Sequence, residues 1–159
     1  MRVEHTFPPY FSKESRILIL GSFPSVLSRK NAFYYMHPQN RFYRVLEAIY
    51  QLPFYQASVE EKKEYLAKCH LALYDVIDSC EIQGSSDSSI RNVQPIHLAY
   101  YLQKYPIEKI IINGKKAYQL FQRFFPEYMS IARCAPSTSP ANAACHLDTL
   151  IEEWKKLLK

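Results

Sequence analysis

Residues 16–21 read Arg-Ile-Leu-Ile-Leu-Gly, and this stretch decides the fold of the 159-residue chain. Four consecutive apolar residues followed by glycine predict a strand that is covered on both faces, as in a parallel sheet. Lys109–Asn113 (KIIIN) repeats the pattern, and residues 71–77 (LALYDVI) and 129–135 (MSIARCA) predict two more strands. Four buried strands of this kind imply a mainly parallel sheet.

Helical patterns lie between these strands. Apolar residues recur at i, i+3, i+4 and i+7 over residues 42–49, 117–124 and 147–154. Ser58 and Glu61 form a capping-box pattern, which predicts a helix that continues to about Lys68.

Pro95 predicts the start of a further helix, with Ile96, Ala99 and Tyr100 on its inner face. Strands that alternate with helices imply right-handed crossovers. We therefore expect an α/β fold in one domain over residues 1–159, a three-layer α/β/α sandwich around a mainly parallel four-stranded sheet.

Composition excludes several classes of protein. No apolar run approaches the roughly 18 residues that span a bilayer, and the start MRVEHTFPPYF has no apolar signal core, so we expect a cytoplasmic protein without membrane association. The four cysteines form no C-x-x-C pair and no tight cluster with histidine, which argues against zinc and iron–sulfur sites, and without a secretory signal they are expected to be reduced thiols. Aromatic residues make up 14% and the net charge is +5, a balance that suits a polyanion with stacking bases.

Polar and small residues follow each predicted strand. Ligands of open α/β sheets bind beyond the carboxyl ends of the strands, so these segments are expected to converge on one cleft. In chain order they are residues 21–25 (GSFPS) with 34–42 (YYMHPQNRF), residues 84–91 (GSSDSSIR), residues 113–116 (NGKK) and residues 136–142 (PSTSPAN). We call them the first, second, third and fourth motifs.

Together the four motifs resemble the uracil-DNA glycosylase superfamily, and most closely its hypoxanthine-DNA glycosylase (deoxyinosine glycosylase) branch. They occur in that order between about residue 16 and residue 142. The resemblance implies the fold of that superfamily and a monomeric base-excision repair enzyme. Such an enzyme flips a deaminated base, here hypoxanthine, out of double- or single-stranded DNA and hydrolyses its N-glycosidic bond without metal or cofactor.

The first motif departs from the pattern of many superfamily members, which carry a water-activating Asp or Asn two residues after the glycine. Phe23 occupies that position and cannot orient water. The resemblance then favours Asn40 as the residue whose side-chain carbonyl holds the water, although Asn40 could instead be the N-cap of the following helix. His37 could donate to the leaving base or to a phosphate, and Asp87 could brace its loop or orient the water.

The remaining motif residues divide into two sets. Candidates for binding the base are Ser22, Phe23, Tyr35 and Asn113. Candidates for binding DNA phosphates are Ser25, Arg41, Ser85, Lys115, Ser137, Ser139 and Asn142, with a helix N-terminus expected over residues 139–142. Asp75, inside a strand pattern, needs a partner and is interpreted as structural.

Three other functions fit the same sequence. Uracil presents its O4 beside N3–H in the order in which hypoxanthine presents O6 beside N1–H, so a uracil or mismatch-directed DNA glycosylase is the alternative within the enzyme class. Phe23 in the water position would suit a non-catalytic nucleic-acid-binding module. An α/β enzyme acting on small nucleosides would lack the phosphate-binding rim that the serine-rich second and fourth motifs supply.

Overall fold

The computed structural model describes residues 2–159, and these form seven strands and six α-helices. The strands are β1 (Arg2–Glu4), β2 (Ile17–Gly21), β3 (Leu71–Asp75), β4 (Ile77–Glu81), β5 (Arg91–Pro95), β6 (Lys109–Asn113) and β7 (Ala132–Ala135). The α-helices are α1 (Val26–Asn31), α2 (Phe42–Tyr50), α3 (Val59–Lys68), α4 (Leu98–Lys104), α5 (Lys115–Phe124) and α6 (Leu147–Leu158). Two short 3-10 helices cover Asp87–Ser89 and Pro126–Ile131.

A four-stranded parallel sheet in the order β3–β2–β6–β7 lies at the centre, as the apolar runs predict. Residues 18–20 of β2 and residues 110–112 of β6 are fully buried. Ile19 pairs with Leu73 on one side and Ile111 on the other, which aligns the carboxyl ends of β2, β3 and β6 at one edge. The predicted α/β/α sandwich with a mainly parallel sheet is confirmed.

The predicted strand over residues 71–77 is two strands in different sheets. β3 ends at Asp75, and β4 begins at Ile77 in a separate antiparallel sheet of order β1–β4–β5. The N–H groups of Val76 and Ile77 donate to the carbonyls of Gly21 and Ser22, at 2.9 and 3.1 Å, where the chain passes the end of β2. Burial is continuous from Leu71 to Ile77, and neither Gly nor Pro marks the change of sheet.

Helix prediction succeeded where the apolar stripe is wide. The three periodic segments are α2, α5 and α6, and the capping box of α3 is complete, with Ser58 and Glu61 each accepting the other's N–H. The helix predicted from Pro95 is wrong in its start and its inner face. Pro95 ends β5, α4 begins at Leu98, and Tyr100 is 57% exposed.

The fourth strand is shorter than predicted because Pro126 starts a 3-10 helix that includes residues 129–131, which leaves only Ala132–Ala135 extended. The side chain of Trp154 in α6 is fully buried, packs edge-on against Phe42 of α2, and donates from Nε1 to the carbonyl of Pro136 at 2.9 Å. The last helix thereby holds the start of the fourth motif against the sheet. None of the helices within residues 2–159 is both long and apolar enough to cross a bilayer.

Candidate active site

A cavity of about 270 Å³ opens at the sheet edge where β2, β3 and β6 end. Gly21, Asp75 and Asn113 are the last residues of those three strands, and all three line it. This is the edge at which ligands of parallel α/β sheets bind. The volume is near the lower end of the range of about 300–1,000 Å³ typical of small-molecule pockets, which suits one nucleobase.

The cavity brings together eleven of the fourteen residues that the sequence singles out. They are Ser22, Phe23, Ser25, Tyr35, His37, Asn40, Ser85, Asp87, Asn113, Ser137 and Ser139. Arg41, Lys115 and Asn142 are not among the residues that line it. Those three were predicted to bind phosphates, which lie outside a cavity of this size. Their role in binding phosphates therefore stays a prediction.

The second motif reaches the cavity by a route that the sequence did not indicate. It is the connection between β4 and β5 of the antiparallel sheet, so it does not follow a parallel strand. Three contacts tie it to the first motif and α1: the Ser22 hydroxyl donates to the Asp87 carboxylate at 2.9 Å, the Val26 N–H donates to the Ser85 hydroxyl at 2.9 Å, and the Arg29 guanidinium donates to the Gly84 carbonyl at 3.0 Å.

Asn40, Thr138 and Asn113 form a connected set of hydrogen bonds at one wall of the cavity. The Thr138 hydroxyl donates to Asn40 Oδ1 at 2.8 Å and accepts from Asn113 Nδ2 at 3.0 Å. The Thr138 N–H donates to Asn113 Oδ1 at 3.0 Å, and the Thr138 side chain is fully buried. Asn113 therefore uses both the nitrogen and the oxygen of its side-chain amide to contact Thr138, and these contacts position Thr138. The predicted role of Asn113 in binding the base stays a prediction.

The carbonyl oxygen of Asn40 is similarly engaged. Besides the Thr138 hydroxyl it accepts the N–H of Phe42, the first residue of α2, at 2.9 Å. Both lone pairs are then in use, so a water molecule cannot be held by this oxygen as the sequence suggests. The backbone donor of Phe42 also fixes the orientation of the amide, which leaves its Nδ2 group as the one able to contact a water.

Asp87 lies at the mouth of the cavity, where the residue as a whole remains exposed. Loss of solvent around the carboxyl group raises its pKa above the ordinary value, and the hydrogen bond from Ser22 opposes that rise. The nearby charge of Lys116 also lowers it. The result is an ionisable acceptor that binds a proton more readily than an ordinary aspartate.

His37 presents a donor to the cavity. Its Nδ1 accepts the N–H of Gln39 at 3.1 Å, so the proton of the neutral ring lies on Nε2. A ring fixed in this tautomer can donate to an oxygen or nitrogen of a bound base, or to a phosphate.

Arg41 braces the fourth motif from within the protein. Its guanidinium donates to the carbonyls of Ser139 and Asn142, at 3.2 and 3.0 Å, and also to that of Cys145. The fourth motif is a series of turns: the Ser137 hydroxyl accepts the Ser139 N–H, and α6 begins only at Leu147. The expected helix N-terminus at residues 139–142 is therefore wrong, because hydroxyl-capped turns, and not a helix, fill the segment after Pro140.

Sequence reasoning missed one buried pair beside the cavity. Asp75, interpreted as structural, lines the cavity, and its Oδ2 lies 2.9 Å from Nε2 of His5. Both side chains are at least 96% buried, and His5 Nδ1 lies 2.9 Å from the carbonyl oxygen of Phe7. No pattern near residue 5 pointed to this contact, since the two residues are 70 positions apart. Thr138 could have been found, because it lies inside the fourth motif.

Comparison with known proteins identifies the family of the chain. The sequence profile of the Uracil DNA glycosylase superfamily matches residues 8–158. The chain is 30% identical over 112 residues to a hypoxanthine DNA glycosylase of Methanosarcina barkeri, covering 70% of this chain and 71% of the relative. It is 29% identical over 116 residues to one of Methanosarcina acetivorans, covering 72% and 73%.

The fold comparison extends over the full length of the chain. A solution NMR structure from Methanosarcina acetivorans, determined as a candidate uracil DNA glycosylase, superposes with a TM-score of 0.85 at 26% identity and covers 99% of this chain and 97% of that one. Sequence profile and fold agree, so the chain belongs to the uracil DNA glycosylase superfamily and its enzyme class is that of a DNA N-glycosylase.

Proposed function

We propose that this DNA glycosylase removes hypoxanthine from DNA: it flips the deaminated base into the cavity and hydrolyses the N-glycosidic bond without a metal ion. The observation that supports this most directly is the meeting of all four motifs at one base-sized cavity, in a chain whose curated relatives are named hypoxanthine DNA glycosylases. A base inside a duplex cannot reach such a cavity, so extrusion at a cost of about a few kcal/mol is part of the reaction.

Two groups share the handling of the attacking water in this proposal. Asn40 Nδ2 donates to the oxygen of the water and fixes its position, because Oδ1 of the same amide is held by Phe42 and Thr138. The Asp87 carboxylate accepts the proton that the water loses as its oxygen bonds to the sugar carbon. A transition state with much cationic character needs only weak activation of the water, so positioning makes the larger contribution.

The leaving base departs with the electron pair of the broken C–N bond. In this proposal His37, which lines the cavity and has its Nδ1 engaged by Gln39, donates from Nε2–H to that base as negative charge develops on it. Phe23, which is 9% exposed and lines the cavity, offers a flat apolar face for the base. The Arg29 guanidinium lies over the Phe23 ring, 5.4 Å from its centroid, and this cation–π contact helps to hold the ring.

The rim of the cavity supplies the phosphate contacts. Ser25, Ser85, Ser137 and Ser139 line it with hydroxyl groups, and Lys115 begins α5 directly after Gly114 at the same sheet edge. Arg41 acts on DNA indirectly, through the shape of the fourth motif.

The test is release of the base from labelled duplexes that carry hypoxanthine, uracil or no lesion, with alkali to cleave the abasic sites and with and without EDTA. We expect EDTA-resistant cleavage at hypoxanthine. Faster cleavage at uracil would instead identify the protein as a uracil DNA glycosylase, the activity named for the NMR neighbour. Binding without cleavage of any duplex would favour the non-catalytic module, and full inhibition by EDTA would contradict metal independence.

A further inference from the structure

A buried hydroxyl at the end of the cavity has no partner in the protein. The Tyr35 side chain lines the cavity, and its hydroxyl oxygen, shielded from bulk water, makes no hydrogen bond with residues 2–159. Leaving such a group unsatisfied costs about 1–3 kcal/mol, so a structural role alone would favour phenylalanine at this position. The unpaired hydroxyl indicates that its partner is the ligand.

The backbone of Tyr35 supports the same conclusion. Its φ is 58°, in the left-handed region that a bulky aromatic residue rarely adopts. The ring of Tyr35 packs against Phe42 with centroids 4.1 Å apart, which holds the side chain in place despite the backbone cost. Burial, and next the charge of Asp75, raise the pKa of Tyr35, and the nearby Asn113 side chain opposes that rise only in part, so the hydroxyl keeps its proton and is a donor.

Asp75 supplies an acceptor beside this donor. A Cβ built on Gly21 would lie 2.6 Å from Asp75 Oδ1 and 3.1 Å from the Tyr35 hydroxyl, so both oxygens lie close together against the Gly21 backbone, where no side chain would fit. Oδ2 contacts His5 Nε2, whereas Oδ1 accepts no hydrogen bond from residues 2–159. Gly21 has no positive φ, so glycine is needed here because a side chain would not fit, and not because of the backbone conformation.

His5 determines what Asp75 offers to a ligand. The Phe7 carbonyl can only accept, so His5 Nδ1 carries a proton that it donates there. A second proton must then lie between Nε2 and Oδ2, which are 2.9 Å apart. The hydrogen bond between the two side chains thus uses Oδ2 of Asp75, and Oδ1 remains an acceptor for a ligand.

We propose that Asp75 Oδ1 and the Tyr35 hydroxyl are the acceptor and donor that recognise the N–H and C=O groups of a lactam edge, with His5 as the residue that positions Asp75. Hypoxanthine and uracil both present this edge. Their parent bases adenine and cytosine present a ring nitrogen acceptor beside an amino donor, which would place acceptor against acceptor and donor against donor. The pair therefore recognises the product of deamination against its parent base.

This inference rests on the proposed function, and the decisive variant is Tyr35→Phe. Removal of a hydroxyl that contacts only the base should reduce single-turnover release of hypoxanthine about tenfold to a hundredfold without lowering the melting temperature. The matched control is Tyr43→Phe. The Tyr43 hydroxyl is buried and donates to the Tyr34 carbonyl at 2.7 Å, so its loss should lower the melting temperature and leave base release unchanged.

A substrate change separates recognition from structure even if Tyr35→Phe proves less stable. A duplex carrying 6-thiohypoxanthine keeps the ring N–H but replaces the oxygen by sulfur, a weak acceptor. The Tyr35→Phe penalty should vanish on this base, because the wild-type hydroxyl has lost its partner. An equal penalty on both bases, or no penalty on hypoxanthine, overturns the inference.

Asp75 and His5 are tested in the same assay. Asp75→Asn should retain release, because its amide nitrogen can donate to a neutral Nε2 while the amide oxygen faces the base; Asp75→Ala should lose it. His5→Ala should raise release of adenine relative to hypoxanthine, a change in ratio that general destabilisation would not produce. If the wild-type protein releases neither hypoxanthine nor uracil, the proposed function fails before any variant is compared.

Discussion

The Thr138 hydroxyl and the Asn40 side-chain oxygen lie 2.8 Å apart, with the hydroxyl donating. This contact joins the turns of the fourth motif to the start of α2, two segments nearly a hundred residues apart in sequence. Through Asn113 it also reaches the end of β6. The position of the Asn40 amide is therefore determined by the segments that follow β7 and end β6, and by the start of α2, and not by its own loop.

Asn40→Ala should reduce single-turnover base release by about 10²-fold or more, the range for the loss of one positioned catalytic group. The substitution also leaves the buried Thr138 hydroxyl without its acceptor, so the free energy of unfolding should fall by about 1–3 kcal/mol. The measurement is base release at saturating enzyme, with circular dichroism to verify folding. A folded variant that cleaves at the wild-type rate would transfer the role to Asp87 or His37.

Thr138→Val should be less active than the wild-type protein although its side chain has nearly the same shape. Valine cannot donate to Asn40 or accept from Asn113, so both amides lose a fixed partner in a fully buried position. We expect a loss of about 1–3 kcal/mol in unfolding free energy and a smaller loss of activity than for Asn40→Ala. Thr138→Ser keeps the hydroxyl and is the control; equal activity losses in the two variants would contradict a role for the hydroxyl.

The rate of base release should decline in acid with an apparent pKa above about 4, the ordinary value of an aspartate. The pKa of Asp87 is raised, and the ionised form is the one that accepts the proton, so activity is lost as pH falls through that raised value. Asp87→Asn should abolish this acid limb and lower the rate at neutral pH. Folding favours the protonated carboxyl, so removal of the charge should not lower stability at neutral pH. An unchanged acid limb in Asp87→Asn would assign it to another group.

Lys115→Ala should weaken binding to damaged and undamaged DNA alike, and should reduce the slope of log K against log salt by about 0.9 if it removes one phosphate contact. Lys156→Ala is the control. Lys156 is exposed in α6, near Leu157, whose carbonyl accepts from Lys109 at the amino end of β6, and so belongs to the opposite edge of the sheet. Titrations at several salt concentrations distinguish the two, and a change in lesion preference alone would refute the phosphate assignment for Lys115.

Local sequence was sufficient where one periodic pattern determined one element. β6 and the capping box of α3 were predicted residue by residue, because continuous burial and a Ser-x-x-Glu motif each have one simple structural solution. The break between β3 and β4 was not predictable in this way. Both strands are buried, and the turn at Val76 is made by main-chain hydrogen bonds to β2, which leave no mark on residue type.

The candidate site divides along the same line. Motifs at strand ends located the cavity, and most of its lining was found from the sequence. The functions of single side chains depend on partners that are distant in sequence: Asn40 on Thr138, Arg41 on carbonyls of the fourth motif, and Asp75 on His5. A lone histidine beside a short edge strand has no pattern of its own, so only the fold could join it to the cavity.

The hydrogen bond from Trp154 to Pro136 has a consequence for shortened forms of the chain. The fourth motif is held by an indole that lies 18 residues further along the sequence, in α6. A chain that stops before residue 154 contains every motif and still lacks the support that shapes the last one. Such a chain should therefore release bases poorly, although all of its predicted site residues are present.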